Sequence, residues 1–234
     1  MTGLHWSKQY DQDLETIKSK ALLMGGLAEE QLANAIHALQ EGDVELAEKV
    51  MATDEQVNQL QVSLDNACTE LIVRRQPAAG DLRTVIATMR VITDVERIAD
   101  EATKVARAAK NLQTRNLLLL NQYQPIHAIA GTAQQMLRDA LDAYARLDRD
   151  KAVRMMALDE DLDREFHDMM RSLITYMMEE PKTISASLDI LWAAKAIERI
   201  GDHATNIGEY VIYIVDGDDI RHSDYARKVL GIVK

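Results

Sequence analysis

Apolar residues recur at three- and four-residue spacing along most of the chain, the mark of amphipathic helices. In the first half this pattern predicts helices over roughly 4–40, 43–75 and 78–110, broken at Gly42-Asp43 and Gln76-Pro77, because Gly and Pro interrupt helices. In the second half it predicts helices over roughly 124–147, 149–179 and 182–216, with breaks near Asp148 and at Pro181. The stretch NLQTRNLLLLNQYQP (111–125) between the halves shows no clear period, and the tail after DGDD (216–219) predicts one short helix. Long helices with short connections favour antiparallel neighbours. The expectation is an all-α protein of two tandem, duplicated three-helix bundles packed side by side, 1–112 and 113–234.

The halves are written in similar phrases, as a duplication would leave them. GGLAEEQLANAIHALQEGDVELAEKVMATDE (25–55) aligns with AGTAQQMLRDALDAYARLDRDKAVRMMALDE (130–160) at an offset of 105, pairing Asp43 with Asp148 and Asp54 with Asp159. LIVRRQP (71–77) aligns with TYMMEEP (175–181) at 104, and VERIADEATKVA (95–106) with IERIGDHATNIG (197–208) at 102.

Composition agrees with helices: hydrophobic residues are 47%, aromatics 4%, and there are 3 Pro and 10 Gly in 234 residues. The formal net charge of −11 opposes binding to nucleic acid or to anionic membranes. The longest apolar runs, LLLL (117–120) and YVIYIV (210–215), fall far short of the ~20 residues of a membrane span. No signal peptide is visible in MTGLHWSKQYDQDLETI, so a cytoplasmic protein without membrane insertion is expected, with peripheral attachment through a membrane partner left open. The single cysteine, Cys68, reads as a buried apolar residue.

The candidate chemistry is acidic. Glu96/Asp100 and Glu198/Asp202 are each spaced i, i+4, so their carboxylates stack on one helix face and repel. At 100° per residue Glu96 and Asp100 continue the stripe of Leu82, Val85, Met89 and Ile92, and Glu198 and Asp202 that of Ile184, Leu188 and Leu191. Carboxylates facing an interior cost several kcal/mol unless paired, protonated or metal-bound. The preceding helices carry TDEQVN (53–58) and LDEDLD (158–163), so Asp159 and Asp163, with Asp54 and Asn58 in the first half, complete oxygen-donor sets for hard or borderline cations. The competing account is ion pairing: Lys104 lies i+4 from Asp100, and Lys195 lies near the second stripe. Asn206 replaces Lys104 in the second half, so there Asp202 is expected to be uncompensated. His203 points about 100° away from Asp202 and is not counted as a ligand. Arg83, Arg90, Arg97 and Lys104 recur every seven residues and read as a solvated face; Trp6 and Trp192 read as packing residues.

MGGLAEEQLANAI, RRQPAAGDLR (74–83), VERIADEATKVA, LDAYARLD (141–148), TYMMEEPKTI (175–184) and IERIGDHATNI, in this order, resemble the PhoU family of accessory regulators of bacterial phosphate uptake. The resemblance spans essentially the whole chain. RIAD stands where the family often has RIGD, and Asn58 stands where an acid is expected. The resemblance implies two three-helix bundles, frequently a homodimer. It implies E/D-x-x-x-D metal sites, carried here by Asp54, Glu96, Asp100, Asp159, Asp163, Glu198 and Asp202. It further implies divalent or trivalent ions (magnesium, manganese, iron or zinc), no catalytic residues, and a cytoplasmic role. In that role the family links the ATPase subunit of the phosphate ABC transporter to the sensor histidine kinase of the phosphate regulon and keeps uptake and response restrained. A di-metal oxidoreductase is the other class such bundles host, but its usual Glu-x-x-His motif is absent: the residues three before the six histidines are Thr2, Asn34, Gln124, Arg164, Ile200 and Asp219.

Overall fold

The computed structural model describes residues 8–114 and 125–219. The expected helix at the C-terminal tail, Trp6 and most of the 111–125 linker lie outside them. Seven α-helices are described: α1 (Lys8–Glu41), α2 (Val44–Arg75), α3 (Ala79–Thr114), α4 (Pro125–Arg146), α5 (Arg149–Met156), α6 (Asp159–Glu179) and α7 (Ile184–Asp216). A 3-10 turn, Pro181–Thr183, leads into α7.

The duplication is visible in the connections. Gly42 (φ 69°) ends the first helix of one repeat and Leu147 (φ 52°) that of the other, both left-handed. The following aspartate then caps the next helix: Asp43 Oδ1 accepts from the Leu46 N–H at 2.9 Å, and Asp148 Oδ1 from the Lys151 N–H at 2.9 Å. Such caps satisfy N–H groups that a helix start leaves unpaired. One expected helix is divided: 149–179 is α5 and α6, separated at Ala157-Leu158. There the Leu158 N–H turns back to the Met155 carbonyl at 3.0 Å, and Asp159, Glu160 and Asp161 open α6, where acids favour a fresh helix N-terminus.

The helices pack as α1-α2-α3 and α4-α5/α6-α7, joined mainly along α3 and α7 and more weakly along α1 and α4. The α3/α7 seam is antiparallel, and facing residue numbers sum to about 300, as in Asp94–Asn206, Glu101–Arg199 and Arg90–Tyr210. Seam helices lie between neighbours on several sides, so their buried faces are broad and rich in small residues: Ala186, Ile190, Ala193, Ala194 and Ile197 are all buried. The stripe of Ile184 and Leu188 expected to be interior is instead 42% and 41% exposed, because the alanine side of α7 makes the close contacts. Trp192 is 68% exposed and not a packing residue.

Gly201 explains the one-residue departure between RIAD and RIGD. A Cβ there would stand 2.1 Å from Leu162 Cδ2. Leu162 corresponds to Val57 at the 105 offset, and Gly201 to Ala99 at 102; Leu162, Val57 and Ala99 are all buried. The leucine of one repeat faces a glycine, while the other repeat has a valine and an alanine, with the same carbon count in total. Cys68 is fully buried, and burial pushes its thiol up to about 11.

Candidate metal centre

In the second repeat α6 and α7 bring the four acids to one locality. Asp159 opens α6, and Asp163 follows one turn later. Glu198 is buried at 7% exposure, while Asp202, one turn on, reaches the surface. Burial raises Asp159, and Asp163 and Glu198 raise it further, while a hydrogen bond from the Thr205 hydroxyl at 3.3 Å opposes them. Asp202 is pushed up to about 6, first by burial of its carboxylate, then by Glu198, Asp159 and Asp163, against the pull of Lys195. Asp159 and Asp202 therefore sit in a field of neighbouring carboxylates that a cation would relieve.

Lys195 takes part of that role. Its Nζ lies 2.6 and 2.5 Å from the two Glu198 oxygens and 5.3 Å from the Phe166 ring centroid. Glu198 is thus paired, the ion-pairing alternative that Lys195 offered, whereas no cation stands within salt-bridge distance of Asp159, Asp163 or Asp202 among the described residues, as expected for Asp202. Asn206 does not replace the missing lysine, since its amide donates to Asp94 at 3.1 Å.

The first repeat holds the matching residues differently. Asn58 Nδ2 donates to Asp54 Oδ2 at 3.1 Å, and the Thr103 hydroxyl approaches Asp54 Oδ1 at 3.5 Å. Lys104 Nζ lies 2.9 Å from Asp100 and 3.0 Å from Glu101. Asp100 is 41% exposed at its side chain, so it sits at the edge of the apolar stripe rather than in its middle. Glu96 Oε2 is buried without a hydrogen bond, its nearest cation being Arg97 Nε at 3.5 Å. Burial raises Glu96, Arg97 opposes this, and Asp100 and Asp54 add to it.

Among the described residues no three His, Cys, Asp or Glu side chains converge on one point as a ready-made ligand set. What fits a metal is the donor chemistry: hard oxygens on two adjacent helices, one of them an orphaned buried atom in the first repeat. Thr103 and Thr205, 102 apart, went unread in the sequence. The signal was the shared Ala-Thr after each ERI-x-D phrase, which places a hydroxyl toward the aspartate of helix two in both repeats.

The seam supplies a separate polar cluster. Buried Asp94 accepts from His203 Nδ1 at 2.7 Å, and buried Glu101 receives Arg199 Nη1 at 2.8 Å. His203 thus turns to α3 and away from the α6/α7 acids, as its position on the helix required. Arg83 and Arg90 are half-buried at the seam; their guanidinium groups lie 5.7 and 5.8 Å from the ring centroids of Tyr213 and Tyr210. α7 thus covers that half of the basic stripe, while the Arg97 and Lys104 side chains stay 56% and 41% exposed, on the solvated face expected.

Fold and site together define a tandem-repeat helical-bundle protein with a carboxylate cluster in each repeat. No described helix is long and apolar enough to cross a membrane. The PhoU domain model matches residues 21–109 and 126–211. The chain belongs to the PhoU family. It is 45% identical over 223 residues to a Pseudomonas putida protein named phosphate-specific transport system accessory protein PhoU homolog, covering 95% of this chain and 87% of that one. It is 42% identical over 220 residues to the Escherichia coli K12 phosphate-specific transport system accessory protein PhoU, covering 93% and 90%. The crystal structure of PhoU from Pseudomonas aeruginosa superposes with a TM-score of 0.85 at 43% identity, over 89% of this chain and all of that one. The phosphate transport system regulatory protein PhoU from Streptococcus pneumoniae superposes at 0.82 and 27% identity, over 89% and 98%.

Proposed function

We propose that this chain is a non-catalytic regulator of phosphate uptake and of the phosphate-starvation response. In this reading it contacts the ATPase subunit of the phosphate ABC transporter and the sensor histidine kinase of the phosphate regulon, works in the cytoplasm and forms a homodimer. The observation that supports it most is identity of 42% or more, over nearly the whole chain, to accessory proteins of phosphate-specific transport. The sequence carries no recognisable nucleophile motif and no Gly-rich phosphate loop.

Metal is part of the proposal. Asp159, Asp163, Glu198 and Asp202 would hold an ion in the second repeat, and Asp54, Glu96 and Asp100 in the first. Magnesium, manganese, iron and zinc all accept such oxygen donors. A bound cation would neutralise the carboxylates and tie the second helix of each repeat to the third. The test is a deletion strain grown in ample phosphate, read by alkaline phosphatase expression. Derepression is expected, reversed by the wild-type chain. A deletion strain that stays silent overturns the reading.

A further inference from the structure

Lys195 stands on the two oxygens that Glu198 would offer to an ion. Its Nζ lies 2.6 and 2.5 Å from them, so both are engaged. The Phe166 ring centroid is 5.3 Å from the same Nζ, a cation–π contact that steadies the ammonium there. The two partners differ in freedom. Glu198 is buried at 7% exposure, while the lysine side chain is 44% exposed. The acid is held in place, whereas rotation of the flexible lysine stem takes its ammonium into water without moving α7.

The pair has a clear purpose when no metal is bound. A buried carboxylate left alone is strongly destabilising, and a lysine three residues back on the same helix answers it. The pair is also self-contained: among the described residues Glu198 is the acid within salt-bridge distance of Lys195. Lys104 in the first repeat differs. It touches Asp100 at 2.9 Å and Glu101 at 3.0 Å, so it can release one acid and keep the other. A multivalent ion draws on several carboxylates of the second set at once, where the ammonium draws on one.

We propose that Lys195 is a displaceable internal counterion of the second repeat. It holds Glu198 in the absence of metal, competes with a divalent cation for that carboxylate, and swings out to solvent when the cation binds. The inference rests on the reading that this set holds metal, and adds the residue that sets its affinity. Only the population with the lysine out can bind an ion through Glu198, so the ion pair weakens the apparent affinity by that fraction. By linkage, the ion expels the lysine to the same extent that the lysine opposes the ion.

The test is a calorimetric titration of manganese(II) into chelator-treated full-length protein at fixed pH and ionic strength. The second-repeat component is the binding that Glu198→Ala/Asp202→Ala removes. Lys195→Met keeps a side chain for Phe166 but cannot pair with Glu198. It should bind manganese in that component at least tenfold tighter than wild type, and have a lower thermal midpoint before metal is added. Lys195→Arg keeps the pair and should bind no tighter than wild type. Lys182→Met removes a lysine at the exposed turn before α7, controls for net charge, and should shift the affinity less than twofold. Wild-type protein gives a second measurement that needs no variant. Acetylation of Lys195 by an amine-reactive ester, read by peptide mass spectrometry, should rise severalfold at saturating manganese. Lys195→Met that binds no tighter than wild type, or a gain that Lys182→Met reproduces, would overturn the assignment and leave the metal site standing. So would Lys195 acetylation that saturating manganese leaves unchanged. Wild-type protein that binds no manganese, or binding that Glu198→Ala/Asp202→Ala leaves intact, removes the site and this inference with it.

Discussion

The acid sets of the two repeats occupy equivalent places and resolve their charge in different ways. In the first, neighbours within the repeat absorb most of it: an amide from Asn58 on Asp54, and Lys104 bridging Asp100 and Glu101. In the second, Lys195 sits on Glu198, while Asp163 raises Asp159 and both of them raise Asp202. Glu198 lies deeper than Asp100, so the lysine goes where desolvation would otherwise cost most. Duplication preserved the oxygen donors while two substitutions, Asn58 and Lys104, changed what those donors need. On the proposal that these sets hold metal, the second repeat would be the stronger cation site.

The sharpest way to break this comparison is to remove acids in matched pairs. Glu198→Ala/Asp202→Ala should lower bound metal by more than tenfold, measured by elemental analysis of protein purified without chelator. Glu96→Ala/Asp100→Ala should lower it several-fold less, since Lys104 already serves Asp100. Equal losses would erase the distinction between the repeats, and equal metal in wild type and the second-repeat variant would remove that site.

A smaller effect separates the repeats by packing. Gly201→Ala should cost about 1–3 kcal/mol, because the new Cβ meets Leu162 in a filled core. The double variant Gly201→Ala/Leu162→Val recreates the first repeat's pairing of Ala99 with Val57 and should recover most of that loss. Urea denaturation of the three proteins measures it. A Gly201→Ala midpoint unchanged from wild type would show that Leu162 moves aside without cost.

The helix plan was legible because the apolar spacing, Gly42, Asp43, Pro77, Asp148 and Pro181 carry local physics that needs no partner. The acid sets were legible because their recurrence at fixed offsets overrides what one Glu-x-x-x-Asp would mean. What was not legible depends on the seam. Periodicity assumes one buried face, and α7 has several, so Ile184 and Leu188 were placed inside and Arg83 and Arg90 outside. Lys195 was visible as a neighbour of the second stripe, but its pairing with Glu198 needed a rotamer and not a spacing. Trp192 looked like packing because a large apolar residue usually is; its exposure follows from which faces of α7 the seam buries.

The smallest effect tests the second repeat's electrostatics directly, in protein freed of metal by chelator. Asp202 is raised from 3.8 to about 6 when folded. A carboxyl whose folded pKa exceeds its unfolded one binds protons more readily when folded, so stability rises as pH falls through about 6. Taken at face value the shift is worth about 3 kcal/mol; because Asp202 reaches solvent, screening reduces that to about 1 kcal/mol or less. The thermal midpoint should therefore climb by about 2–4 °C between pH 7.5 and pH 5. Asp13, Asp139 and Asp142 are lowered by their hydrogen bonds and ion pairs, so their loss begins only below about pH 4 and does not enter this window. Asp202→Asn should flatten most of the rise, leaving the part owed to Asp159, Glu96, Glu29 and Asp65, which are also raised. A midpoint that falls with pH over this window, or a slope that Asp202→Asn leaves intact, would show that the second set is already neutralised and that the contrast between the repeats is not electrostatic.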